Sequence, residues 1–237
     1  YTFEMANIRE QCSWVHLDEA EAATEKAKTL VRMAVAKVLL LQPRDEPEVE
    51  IKPIPLVIGG GIAGLTSALS LANQGFQVHL VEKQPELGGL LRPLNKLFPL
   101  ERDCSELLKS KVESVTSNPR IKLHPSSRVT SVKGFIGNFD VEIESQTGDV
   151  EKLNAGTIIV ATGAANLEPL GLYGYGSDDR IITQLQLEER LRKGGLEGVG
   201  TVVFIQCVGS RNDERPYCSR ICCVEAVKNA LLLKQSN

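Results

Sequence analysis

Four cysteines fall close together near the carboxyl end of the chain: Cys207, Cys218, Cys222 and Cys223, spaced C-x10-C-x3-C-C. Thiolates are soft ligands, and four of them suit zinc or an iron–sulfur cluster. Structural zinc favours paired knuckles of two to four intervening residues, which adjacent cysteines match poorly. A redox disulfide is the third chemistry open to the set. Arg211, Arg215 and Arg220 lie among them and would offset the charge of a thiolate-ligated centre. On ligand softness and spacing the order is iron–sulfur first, then zinc, then disulfide.

A second group carries different chemistry. Gly59, Gly61 and Gly64, with Gly60, Ile62 and Ala63 between them, spell G-x-G-x-x-G after a short apolar run and before a helical pattern. The first glycine permits a sharp turn, the second leaves no Cβ between backbone and a pyrophosphate, and the third lets helix and strand approach. Phosphate would rest on the helix N-terminus, where free N–H groups and the dipole favour negative charge. Glu82, with Lys83 after it, stands where an acid would bond a ribose hydroxyl, and its charge argues against a 2′-phosphate. Gly88 and Gly89 then suit close passage of a bound phosphate or ring, and Thr162-Gly163 supplies another tight exit at a strand end. A glycine-rich turn with no ligand is the bland alternative.

The elements that must position these groups can be read from periodicity. Residues 55–58 and 77–81 read as buried parallel strands around a helix over 62–73, with Gly75 at its C-cap. A further helix is expected over about 103–115. Ile121–His124, Arg128–Val132, Phe139–Ser145 and Val150–Leu153 read as an antiparallel meander, and 157–163 as another buried strand. A short helix is expected near Thr183–Arg192. Thr201–Gln206 reads as a strand leading into Cys207, and a helix is expected from Cys218 on, placing Cys218 and Cys222 one turn apart. Upstream, 19–41 predicts an amphipathic helix with a capping box at Asp18 and Glu21 and an apolar stripe of Leu30, Val31, Ala34, Val38 and Leu41. The expected class is α/β: a Rossmann-like domain with a parallel sheet and a small antiparallel meander, then the start of a second nucleotide-type domain carrying the cysteines. The division is 1–43, a linker over 44–54 rich in charge and proline, 55–180, and 181–237. His79 and His124 sit in strand patterns and read as structural; Cys12 and Cys104 read as buried thiols.

Composition narrows the classes. Of 237 residues 42% are hydrophobic, which supports a packed core, and the net charge of −3 offers no basic surface for nucleic acid. No apolar run reaches the ~18–20 residues of a membrane span. No Ser/His/Asp constellation for hydrolysis stands out. The chain starts without Met and shows no export signal, so it is expected to be a piece of a longer protein.

Three segments carry a resemblance: FEMANIREQCSWVH (3–16), VIGGGIAGLTSALSLANQGFQVHLVEK (57–83) with LGGLL (87–91), and FIQCVGSRNDERPYCSRICCVEAVKNALLL (204–233). They are similar to the heterodisulfide reductase A-subunit family, the flavin and iron–sulfur proteins of methanogens and related anaerobes. The resemblance implies a thioredoxin-reductase-like core binding FAD through Gly59–Gly64, Glu82, Lys83, Gly88, Gly89, Thr162 and Gly163, with the Val129 backbone on adenine. It implies a [4Fe–4S] cluster on Cys207, Cys218, Cys222 and Cys223. It further implies flavin-based splitting of electron pairs between ferredoxin and the CoM-S-S-CoB heterodisulfide, in a cytoplasmic complex with other heterodisulfide reductase subunits and a hydrogenase or other electron donor, the chain itself forming a homodimer. The chain departs from that family in lacking its ferredoxin-type C-x2-C-x2-C run, and Cys12 is a candidate ligand of a second cluster only if partners exist elsewhere. Two other readings stand beside this one: an NADH-dependent pyridine-nucleotide–disulfide oxidoreductase, and a zinc-stabilised nucleotide-binding scaffold.

Overall fold

A computed structural model describes residues 2–43, 48–99, 102–194, 196 and 198–236. Part of the expected linker, 44–47, lies outside the described residues. The chain divides into two units, Tyr1–Val49 and Glu50–Asn237.

The first unit holds a single π-helical turn over Arg9–Ser13, which buries Cys12, and helix α1 (Ala20–Leu40). Leu30, Ala34, Val38 and Leu41 are half-buried along one face, as the period requires, while Val31 is exposed. The anticipated capping box is not formed: the N-cap is Glu19 and no side chain caps the helix.

The second unit is built on four parallel strands, β1 (Pro55–Ile58), β2 (Val78–Val81), β3 (Ile121–His124) and β7 (Thr157–Val160). They form one sheet of order β3-β2-β1-β7. Helix α2 (Ile62–Asn73) joins β1 to β2, and α3 (Cys104–Thr116) precedes β3. The central strands are apolar because both faces are covered. Val57, Val78 and Leu80 pack against Leu65, Ala68, Ala72 and Val115 of the helices. Leu56 and Val81 point the other way, onto Val141, Ile143 and Ala155 of a three-stranded antiparallel sheet, β4 (Ser127–Phe135), β5 (Asn138–Ser145) and β6 (Val150–Ala155). Each such buried aliphatic side chain stabilises the fold by about 1.5–3 kcal/mol relative to exposure.

Two expectations are corrected here. Ile121–His124 is not part of the meander but the edge strand of the parallel sheet, because the α3 crossover returns the chain parallel to β2. Thr201–Gln206 forms no strand: it joins no ladder, and Val203 and Ile205 stay exposed. An apolar, β-branched run favours an extended segment, but without a neighbouring strand there is nothing to pair with.

The remaining elements are α4 (Gln184–Arg192) and α5 (Cys222–Ser236). Thr183 caps α4 in a full capping box: its Oγ1 accepts from the Gln186 N–H at 3.2 Å and Gln186 Oε1 accepts from the Thr183 N–H at 2.8 Å. A buried polar network ties α5 to α4 and to the loop before α3. Lys228 pairs with Glu188 and donates to the Lys96 carbonyl at 2.9 Å, while Glu188 Oε2 accepts from the Asn95 N–H at 3.0 Å.

Candidate functional site

The three glycines of the β1–α2 turn each meet a distinct steric demand. Gly59 has φ +109°, and a Cβ there would lie 2.3 Å from the Ala161 carbonyl oxygen. A Cβ on Gly64 would lie 1.8 Å from the Gly59 oxygen, so only glycine lets α2 start against the turn. Gly61 differs: its φ of −74° suits any residue, and a Cβ there would meet nothing within 4 Å. It is the N-cap of α2 and no side chain caps the helix. The first N–H groups of that helix therefore border open space, with Ile62 and Ala63 exposed beside them.

The other expected residues converge on this turn. Glu82 is buried at the end of β2; its Oε2 accepts from the Gly60 N–H at 2.6 Å and its Oε1 from the Gln84 N–H at 2.8 Å. It thus braces the turn itself, a task the sequence did not disclose. A carboxylate oxygen has more than one lone pair, so a ribose hydroxyl can still be accepted. Lys83 is exposed. Gly88 and Gly89 lie directly on the turn: the Gly88 N–H donates to the Gly60 carbonyl at 2.8 Å, and Gly88 bridges Gly61. Gly89 has φ +51°, and a Cβ there would stand 3.2 Å from Gly61 Cα. The Thr162 Cα falls 3.1 Å from where a Gly59 Cβ would be, and Gly163 follows at φ +69° with open space around it. Val129 is half-buried in β4 at a register shift; β4 begins beside Glu82, whose carbonyl accepts from the Ser127 N–H at 2.9 Å. The turn and its neighbours sit at the carboxyl ends of parallel strands, where open α/β sheets bind nucleotides. Uncapped helix N–H groups beside a glycine with an open side fit a pyrophosphate.

The cysteines gather at the start of α5, with one correction. The helix begins at Cys222, so Cys218 lies outside it and is not one helical turn from Cys222. Arg220 at φ +61° breaks the helix there, and its N–H donates to the Cys218 sulfur at 3.3 Å. Cys207 also has positive φ, +60°, at the head of the polar loop. Cys207 and Cys222 are half-buried; Cys218 and Cys223 are exposed. A hydrogen bond from the Ser219 hydroxyl lowers the Cys222 thiol below its ordinary range. Cys223 is pushed up, first by the charge of Cys222 and then also by Cys207 and Cys218. The four sulfurs therefore share one electrostatic neighbourhood, and holding them ionised together needs positive charge at their centre. They are not drawn in as a mononuclear site would be. Among the described residues, ligand atoms of three side chains come within 4.8 Å of one another at His79, His124 and Glu151, not at these thiols. A tetrahedral zinc needs sulfurs about 3.8 Å apart, given Zn–S of about 2.3 Å. A polynuclear cluster holds its corner ligands wider than a single zinc does.

A family model described as pyridine nucleotide-disulphide oxidoreductase matches residues 55–205. The chain belongs to that family. It is an oxidoreductase chain on a dinucleotide-type fold. Among curated relatives it is 35% identical to an iron-sulfur A-subunit of CoB–CoM heterodisulfide reductase from Methanopyrus kandleri, over 99% of this chain and 50% of the relative. It is 34% identical to the A-subunit of the H2:CoB–CoM heterodisulfide, ferredoxin reductase of Methanothermobacter thermautotrophicus, over 99% of this chain and 49% of that one. The chain thus spans about half the length of these relatives. The first alignment runs over 327 positions against 237 residues here, so the relative carries aligned segments without counterpart in this chain. Among solved structures, the thioredoxin reductase of T. acidophilum matches with TM-score 0.42 at 25% identity, covering 52% of this chain and 40% of that one. No helix among the described residues is long and apolar enough to cross a membrane.

Proposed function

We propose that this chain is the flavin and iron–sulfur part of an electron-transfer oxidoreductase of the heterodisulfide reductase A-subunit type. The observation that carries the reading is one compact unit holding both an uncapped glycine cradle and four cysteines, three of which together bear on the ionisation of the fourth, Cys223. The α2 N-terminus and Gly61 receive the pyrophosphate of FAD, and Glu82 orients its ribose. Gly88, Gly89, Thr162 and Gly163 line the rest of the passage, with the Val129 backbone beside adenine. Cys207, Cys218, Cys222 and Cys223 hold a [4Fe–4S] cluster. FAD supplies the exchange between two-electron and one-electron chemistry, and the protein tunes both groups through burial and hydrogen bonding. In the complete assembly the chain works with other heterodisulfide reductase subunits, an electron donor such as a hydrogenase, and ferredoxin, splitting electron pairs between ferredoxin and the CoM-S-S-CoB heterodisulfide. Cytoplasmic placement and a homodimer within that assembly belong to the same proposal.

Anaerobic purification followed by flavin, iron and acid-labile sulfide analysis tests this reading. It expects about one FAD and about four each of iron and sulfide per chain. Flavin without iron would favour an NADH-type disulfide oxidoreductase, and zinc without flavin a scaffold.

A further inference from the structure

We propose that His79, His124 and Glu151 form a binding site for a zinc-like divalent cation that staples the parallel sheet to the antiparallel one. One ligand atom from each lies within 4.8 Å of the other two. The three come from different elements: His79 from β2, His124 from the edge strand β3, and Glu151 from β6 of the facing layer. Alternation along the strands turns all three into the space between the sheets, since Leu80 and Leu123 face the helices and Leu153 and Ala155 the interlayer. His79 Nδ1 and His124 Nε2 already face each other at 2.9 Å. Two nitrogens on one tetrahedral zinc stand about 3.3 Å apart, given Zn–N of about 2.0–2.1 Å, so an ion in place of the shared proton needs roughly half an ångström of opening and a turn of both rings that brings their lone pairs onto it.

The third ligand is available. Glu151 gives Oε1 to the Lys122 ammonium and holds Oε2 3.6 Å from His124 Nδ1, the ring nitrogen that does not face His79, so the carboxylate swings along the ring edge to reach the ion. Its side chain is 42% exposed, with room to draw in once it leaves Lys122, while His124 is buried and His79 half-buried. Burial also keeps both imidazoles in the neutral form that ligates metal: desolvation lowers His79 to about 4 and lowers His124 as well. Two imidazoles and a carboxylate suit zinc, with water completing the tetrahedron.

The test is a Zn2+ titration of the chain beside His79→Gln and Glu151→Gln, all three carrying the same thiols. The site predicts one more zinc bound per parent chain than per His79→Gln chain. It also predicts a Tm higher by roughly 5–10 °C at about a hundredfold excess over Kd in the parent, absent from His79→Gln. Glu151→Gln, at a half-exposed position whose exposed ion pair with Lys122 is worth under about 1 kcal/mol, should weaken the extra site roughly tenfold or more, through loss of an anionic ligand. That variant decides the matter if His79→Gln does not fold. Equal stoichiometry and equal Tm rise in parent and variants would overturn the site.

Discussion

Gly61 and Gly64 belong to one motif yet answer to different forces, and substitution separates them. At Gly64 an added Cβ would stand 1.8 Å from a backbone oxygen that cannot step aside. Gly64→Ala is therefore expected to lower stability by about 2 kcal/mol or more in a thermal or urea melt. At Gly61 the added methyl enters open space on ordinary backbone. Gly61→Ala is expected to leave Tm within about 2 °C, since surface changes that touch nothing cost little. FAD affinity should fall roughly tenfold or more, because the methyl stands where the pyrophosphate approaches the helix. The thiols also sort by environment. In the cluster-free chain at neutral pH, iodoacetamide should label Cys218, Cys222 and Cys223 far faster than Cys104, whose thiol is buried and pushed up by that burial. Mass spectrometry of tryptic peptides would show it, and rapid native labelling of Cys104 would contradict it. The sequence displayed the glycines and thiols because each motif is contiguous. It hid the second task of Glu82 and the meeting of His79, His124 and Glu151, because those contacts join residues far apart in the chain.

At the scale of elements, the helix bearing the cysteines is held by charge as well as by apolar packing. Lys228 and Glu188 are buried together, and their remaining bonds go to the Lys96 carbonyl and the Asn95 N–H. Lys228→Met strands a buried carboxylate, so it should cost about 3–5 kcal/mol in a denaturant titration. Pairing it with Glu188→Gln removes both charges and keeps an acceptor for Asn95, so most of that loss should return. Had the pair been merely a surface contact, either change would cost under about 1 kcal/mol. The helices α2 and α3 are legible in the sequence from their period, and α4 forms where a short helix is expected. Pairing is harder to read. Alternation marks Ile121–His124 as a strand but not which sheet it joins, and an apolar run such as Thr201–Gln206 becomes a strand only when a neighbour offers a ladder. The start of α5 escapes a sequence reading because nothing in the residue types at Arg220 announces a positive φ.

For the molecule as a whole, the two proposed cargoes share one compact unit: a dinucleotide on the β1–α2 turn and an iron–sulfur cluster at the head of α5. The turn's architecture is readable because strand, turn, helix and acid follow one another along the chain. The four thiols are visible in the sequence but their arrangement is not, since Cys207 itself and Arg220 after Cys218 take unusual backbone angles. The most direct test is to remove each holder separately and measure both cargoes in the same anaerobic samples. Gly61→Ala should lose FAD and keep about four iron atoms per chain, and Cys218→Ser should lose iron and keep FAD. Undiminished flavin in Gly61→Ala, or a full iron complement in Cys218→Ser, would contradict the account.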